Sequence, residues 1–185
     1  VSQPNHKPAD EQKILAAFMR GEGHAFDRVF RLYFPALSFF ACQLLGEREA
    51  AEDLAQEVLI KLWQRRSQLA MVQDLRSYLY VMTRNQCSDW IRSRNKQEGA
   101  AREAETDLLT EQNIEQALIR AETIRELHRV IALLPARMQQ VFRLYYLEGK
   151  STREISQLMQ TSVHTVINQR KTALRLIRKT FIPDR

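Results

Sequence analysis

Glycine and proline are scarce, with five of each in 185 residues. So few turn formers argue against a turn-rich fold and for a mostly helical chain. Cysteine is scarcer still. Cys42 and Cys87 stand alone without a CxxC pair, and both are expected to be buried free thiols in a reducing compartment. No apolar run approaches the roughly 20 residues that span a bilayer, so no membrane insertion is expected. No signal peptide is visible at the start, and the expected location is cytoplasmic. His6, His24, His128 and His164 are scattered, and they read as surface or cap residues. There is no clustered metal pattern, no Gly-rich phosphate loop and no nucleophile elbow. No enzymatic activity, no metal and no cofactor is therefore expected.

What the chain does have is positive charge and helical periodicity. A net charge of +6 favours an anionic partner, either nucleic acid or a membrane surface. The informative stretch is residues 151–174, STREISQLMQTSVHTVINQRKTAL. Ser151 with Glu154 spells a capping box, in which each side chain satisfies a backbone N–H at the helix entrance. Ser162 is placed to cap a second helix that meets no Gly or Pro before Pro183. Met159, Gln160 and Thr161 leave room only for a tight turn. Two short helices joined this way form a helix-turn-helix, whose second helix lies in the DNA major groove.

Val163, Val166, Ile167, Ala173, Leu174 and Ile177 recur on one side of that second helix. His164, Thr165, Asn168, Lys171, Thr172 and Arg175 fall on the other, without a carboxylate. Asn suits an adenine edge, Lys a guanine edge or a phosphate, and Thr a thymine methyl or a phosphate. Solvated helix faces usually mix Glu with Lys, and this one does not. The reading is a nucleic-acid face; the alternative is a plain solvated amphipathic helix.

Residues 1–10, with Pro4 and Pro8 among polar groups, read as a disordered tail. Residues 11–20 make a short helix with Ile14, Leu15 and Phe18 on one side, stopped by Gly21 and Gly23. Residues 24–45 read as helix from the spacing of Phe26, Val29, Phe30, Tyr33, Leu37, Phe40, Ala41 and Leu44. Pro35 is expected to kink or split it, and Gly46 to end it.

Residues 47–66 form a second long helix, with acids at its start and bases at its end to match the helix dipole. Ala51, Leu54, Ala55, Val58, Leu59 and Leu62 make its buried stripe. Asp53, Glu57, Ile60 and Gln64 lie along an outer line. An exposed Ile among acids fits a partner surface; a solvated face is the alternative. In residues 75–96, Leu75, Leu79, Met82, Thr83, Cys87 and Trp90 point inward. Tyr78, Asn85, Asp89, Arg92 and Lys96 form an outward line. An aromatic, an amide and cations on one line suit single-stranded nucleic acid. Equally, Tyr78 covers the edge of the core.

Residues 97–120 turn acidic, through Glu98, Glu103, Glu105, Asp107, Glu111 and Glu115, with few large apolar groups. They read as a flexible linker, helical at most transiently near the end. Residues 121–134 are helical again, with Ile124, Leu127, Val130, Ile131 and Leu134 inward. Pro135 opens the next helix, apolar at Val141, Phe142, Leu144, Tyr145 and Leu147, and Gly149 ends it. Arg178, Lys179 and Arg185 add cations suited to phosphates. The expected fold is all-α: two small helical domains, residues 11–96 and 121–185, joined by a flexible linker over residues 97–120.

Three stretches carry a family resemblance. AEDLAQEVLIKLWQ (residues 51–64), LRSYLYVMTRNQCSDWIRSR (75–94) and LPARMQQVFRLYYLEGKSTREISQLMQTSVHTVINQRKTAL (134–174) stand in one order. Together they resemble bacterial RNA polymerase sigma factors of the small extracytoplasmic-function group. The first is similar to the polymerase-docking helix, the second to the regions that melt and read the −10 element, and the third to the reader of the −35 element. The intermediate region 3 domain is missing, as in this group. The resemblance implies an alternative sigma factor with core RNA polymerase and promoter DNA as partners, and an anti-sigma factor as its control. By position it implies polymerase docking for Asp53, Gln56, Glu57, Ile60 and Trp63. It implies flipped-base contacts for Asn85 and Asp89 and −35 contacts for Asn168, Lys171 and Thr172; Arg92 joins the DNA-binding candidates from the outward line alone.

The sequence departs from the family pattern in the turn, where Gln160 and Thr161 stand for the usual Gly and apolar residue. A left-handed Gln there costs up to about 1 kcal/mol relative to Gly. Ser156 stands where Ala is usual. The recognition helix has fewer Arg than many relatives, so their promoter preference does not transfer. The alternative function is a helix-turn-helix transcriptional regulator that acts without replacing the sigma factor. The N-terminal half offers that reading no phospho-acceptor strand pattern and no ligand-pocket signature.

Overall fold

Helix follows helix, and most boundaries have a visible chemical cause. The structure, a computed structural model, describes residues 8–72, 74–98 and 110–181, and of these the side chains of all but 8–12, 70, 71, 97 and 98. Most of the expected tail, His6, residues 99–109 of the acidic stretch and Arg185 lie outside these residues. Every regular element among the described residues is helical. None is long and apolar enough to cross a membrane. The chain divides into two compact units, with the division after Glu126.

In the first unit, α1 (Pro8–Met19) opens on proline, earlier than the expected start at Glu11. Proline suits the first turn, where its missing N–H has no helical partner to lose. Gly21 ends the helix at φ 80°. There Glu22 N–H reaches Ala17 O at 3.1 Å and Gly21 N–H reaches Phe18 O at 3.0 Å, a Schellman closure. Helix α2 (Gly23–Leu45) runs unbroken through Pro35, so the expected split does not occur. A proline inside a helix costs about 3 kcal/mol. Ala36 and Leu37 beside it are both fully buried, and that packing holds the helix together. Gly46, at φ 72°, closes α2 as expected.

Helix α3 (Arg48–Gln64) buries the whole expected stripe from Ala51 to Leu62. A 3₁₀ turn (Arg66–Met71) leads to α4 (Leu75–Glu98). Asp74 caps α4, a signal the sequence reading missed. Its carboxylate accepts from Arg76 N–H at 2.9 Å, Ser77 N–H at 3.2 Å and the Ser77 hydroxyl at 2.6 Å. Phe18, Leu37, Phe40, Leu59, Leu62 and Leu79 fill the shared core. Each such side chain contributes about 1.5–3 kcal/mol on burial. Tyr80 and Ile91 are also buried, beyond the expected set on α4. Cys87 is fully buried, and burial pushes its thiol up to about 12. Cys42, expected to be buried, is only partly so.

The expected linker needs correction. Helix α5 (Glu111–Ala132) starts well before residue 121, and α4 extends to Glu98. Ile114, Ala117, Leu118 and Ala121 follow helical spacing, and all four pack into the first core. Two of them are alanines, so the stripe carries little hydrophobic signal among the surrounding acids. Polar contacts tie the same segment down. Glu122 accepts from Arg76 at 3.3 Å and from Arg125 at 3.0 Å, while Arg120 bonds Gln43 at 3.2 Å. The Arg125 guanidinium also lies over the Tyr33 ring, 5.6 Å from its centroid. Burial disfavours the charge on Arg125, but the bonds to Glu122 outweigh it and hold its pKa above the ordinary value.

In the second unit, the end of α5 is followed by α6 (Ala136–Phe142), which widens into a π turn (Arg143–Leu147). Then come α7 (Thr152–Leu158) and α8 (Val163–Phe181). One cluster gathers Val130, Ile131, Leu134, Phe142, Ala173 and Ile177; another joins Val141, Ile155 and Val166. Leu147 faces solvent instead of either cluster.

Glu122→Ala should destabilise the first unit by about 1–3 kcal/mol, because it strands the partly buried Arg125. Urea unfolding of the full chain checks this, and a midpoint equal to wild type would mean that the segment behaves as a linker.

Candidate nucleic-acid interface

The helix-turn-helix is held by its ends. Glu154 N–H donates to Ser151 Oγ at 3.3 Å, and Ser151 N–H donates to Glu154 Oε2 at 2.8 Å, which completes the capping box. These bonds to Ser151 hold the Glu154 carboxyl below its ordinary pKa. At the other end of α7, Thr161 N–H reaches Ser156 O at 2.9 Å and Gln160 N–H reaches Gln157 O at 3.2 Å. This is a Schellman turn, and it needs a left-handed residue. Gln160 supplies it at φ 49°, the one positive-φ residue other than glycine among the described residues. Ser162 then caps α8 by accepting from Thr165 N–H at 3.0 Å.

Helix α8 buries Val166, Ala173 and Ile177. Val163 and Leu174, expected inward, are 42% and 43% exposed. Polar side chains share the inner face instead. The Arg170 guanidinium stacks 4.3 Å from the centroid of the Tyr145 ring, which takes the contact an apolar side chain would otherwise fill. On the outer face His164, Asn168, Lys171 and Arg175 are exposed, and Thr165 and Thr172 are partly so. The Thr165 hydroxyl is engaged with Ser162 Oγ at 2.8 Å, and Asn168 Nδ2 lies 3.1 Å from His164 Nε2. No carboxylate among the described residues pairs with Lys171 or Arg175.

The first unit presents two further lines. On α3, Asp53, Gln56, Glu57 and Ile60 are exposed along one face, with Ile60 at 41%. Glu57 pairs with Lys61 at 3.1 Å. Trp63 differs from these four. It is partly buried against Phe18 and Phe26, with centroids 5.1 Å apart in both pairs, and Arg66 covers its ring at 4.8 Å. On α4, Asn85, Asp89, Arg92 and Lys96 are exposed, while Tyr78 packs partly against the core. Arg92 bonds Asp89 at 3.2 Å, a pairing the sequence reading did not anticipate although i,i+3 spacing allows it. Arg94 lies over Trp90 and pairs with Glu47, which links α4 to the start of α3.

The fold and these surfaces define an all-helical protein with a helix-turn-helix in its second unit. Residues 29–97 match Sigma-70 region 2, and residues 124–177 match Sigma-70, region 4. The chain belongs to the sigma-70 family. It is 26% identical over 163 residues to a probable RNA polymerase sigma factor RfaY of Xanthomonas campestris pv. campestris, covering 85% of this chain and 40% of that protein. The chain thus spans about two fifths of the length of that relative. It is 23% identical over 182 residues to the RNA polymerase sigma-H factor of Pseudomonas aeruginosa, covering 94% of each. Among solved structures it is similar to the sigma factor RpoE in complex with the anti-sigma factor NepR from Bartonella quintana. That likeness has 21% identity and a TM-score of 0.37, over 86% of this chain and 98% of the other.

Two outcomes are expected from this geometry. Gln160→Gly removes the left-handed strain and should raise stability by up to about 1 kcal/mol, read as a small rise in Tm. Lys171→Ala should weaken DNA binding and reduce the slope of log K against log salt by about one, as loss of one phosphate contact requires. An unaltered slope would remove Lys171 from the phosphate contacts.

Proposed function

We propose that this protein is an alternative sigma factor that binds core RNA polymerase and directs promoter recognition and transcription initiation. The observation that carries this reading is the pairing of two sigma-70 regions, in order, on one chain. The exposed line Asp53, Gln56, Glu57 and Ile60 on α3 is the surface for core polymerase, with Trp63 shaping it from behind. Asn85, Asp89 and Arg92 on α4 meet the separated non-template strand of the −10 element. There, captured bases offset the few kcal/mol that unstacking costs. His164, Thr165, Asn168, Lys171, Thr172 and Arg175 on α8 face the −35 major groove.

The polymerase supplies the chemistry, and this chain supplies the choice of sequence. Control is by an anti-sigma factor that covers one of these surfaces, the kind of partner named for the sigma factor RpoE of Bartonella quintana. The two domains act as 11–96 for docking and the −10 element and 121–185 for the −35 element. The first gains residues 111–126, of which Ile114, Ala117, Leu118 and Ala121 pack into its core, and the second is left with 127–185.

Reconstituted transcription with core polymerase tests the whole reading, and RNA synthesis from a promoter library only when this chain is added is the expected result. Activation from a palindromic site without contact to core polymerase would instead mark a helix-turn-helix regulator. Glu57→Arg should abolish core binding in a pull-down while the circular dichroism of the chain stays unchanged. Core binding at the wild-type level would take Glu57 out of the docking surface.

A further inference from the structure

The first two turns of α8 are the part of a recognition helix that approaches base edges. Three polar side chains occupy the outer face there: His164, Thr165 and Asn168. Thr165 is already spent on the cap, with its hydroxyl 2.8 Å from Ser162 Oγ and its N–H on the same atom. That leaves His164 and Asn168, and these two are bonded to each other at 3.1 Å. They sit at i and i+4, the spacing at which helix side chains meet.

We infer that His164 is a positioning residue for Asn168, and that it sets Asn168 as a reader of adenine. This rests on the reading of α8 as the −35 recognition helix. Nδ2 of the Asn168 amide can only donate, so at 3.1 Å it calls for an accepting Nε2 on His164, the tautomer with the ring proton on Nδ1. An amide has two N–H donors and one carbonyl acceptor. With one donor held by the ring, one N–H and Oδ1 remain. That is the pair that matches the N7 acceptor and N6 donor of adenine in the major groove. The bond also fixes the plane of the amide. Otherwise the amide would rotate freely about a broad terminal torsion. The ring therefore removes ordering that the complex would have to supply. Lys171 and Arg175, one and two turns further on, have no such bond among the described residues and are left to contact phosphates.

The test uses holoenzyme assembled from core RNA polymerase and the full chain, on promoters randomised across the −35 element, with the selected sequences counted. Wild type is expected to prefer adenine at one base pair, and Asn168→Ala to lose that preference. His164→Ala should lower the preference at the same base pair by about 2- to 12-fold, the cost of ordering one free side chain. His164→Gln should restore most of it, because its Oε1 can accept from the amide at the same spacing. If His164→Ala keeps the adenine preference that Asn168→Ala loses, the positioning role is wrong. A change at a different base pair would also overturn it, by making His164 a reader in its own right. If wild-type holoenzyme transcribes but shows no −35 preference, or Asn168→Ala leaves it intact, the assignment of Asn168 as a reader falls with it. No transcription at all would remove the sigma-factor reading itself.

Discussion

Val141 on α6, Ile155 on α7 and Val166 on α8 are each fully buried and touch one another in a cluster of their own. Three small aliphatic side chains thus set how α8 is rotated about its axis. Successive residues of a helix are displaced by a fixed angle, so once Val166 points inward the directions of His164, Asn168, Lys171 and Arg175 follow. A cluster this small contributes only a few kcal/mol by burial. The helix ends must therefore carry part of the geometry. The Ser151–Glu154 capping box and the Schellman turn through Gln160 satisfy backbone groups that water would otherwise compete for. The strain at Gln160 is tolerated because both turn bonds depend on it.

Charge separates the exposed surfaces in a second way. Acids on α3 and α4 are partly matched within their own helices, Glu57 by Lys61 and Asp89 by Arg92. Exposed pairs of this kind hold their partners weakly, by about 0.2–1 kcal/mol. A macromolecule that brings a better partner can displace them at little cost. The outer face of α8 has no acid to displace. Its cations face solvent in a chain of net charge +6, so a polyanion is drawn there first. The same surfaces divide the proposed partners: a protein for the mixed line of α3, nucleic acid for the unopposed cations of α8.

Much of the fold was legible in the sequence because glycine marks several helix ends and apolar periodicity marks the cores. The α3 stripe, the stop at Gly46 and the Ser151 capping box were all readable from spacing. Two of the misses share a physical cause: a pattern of apolar letters does not register what small or polar side chains do in a packed interior. Ala117 and Ala121 are buried but barely hydrophobic, so the first half of α5 looked like linker. Arg170 lays its planar head on Tyr145 on the inner side of α8, while Val163 and Leu174 are exposed. At the candidate site the face of α8 was legible, but its internal bonds were not. Periodicity places His164 and Asn168 side by side without saying which atoms meet. Trp63 was read with the docking line, yet aromatic packing holds it partly in the core.

The limits of the family match and of the packed unit also differ, and the difference has a structural meaning. The match to region 2 begins at residue 29 and ends at residue 97. Phe18, on α1 before that range, is fully buried with its ring edge-on to Trp63. Ala121, on α5 after it, is fully buried too. Tyr33 and Tyr80, inside the range, are covered in part by Arg125 and Glu122 from outside it. Burial raises the Tyr80 phenol pKa, and the nearby Glu122 carboxylate adds to the effect. The family signal therefore records the segments that resemble sigma-70 regions, while the hydrophobic core recruits a helix from each side of them. A protein cut at residues 29 and 97 would keep every proposed docking residue on α3 and lose the aromatic packing that fixes where Trp63 points. The surface proposed for a polymerase is thus shaped partly by residues that lie outside it.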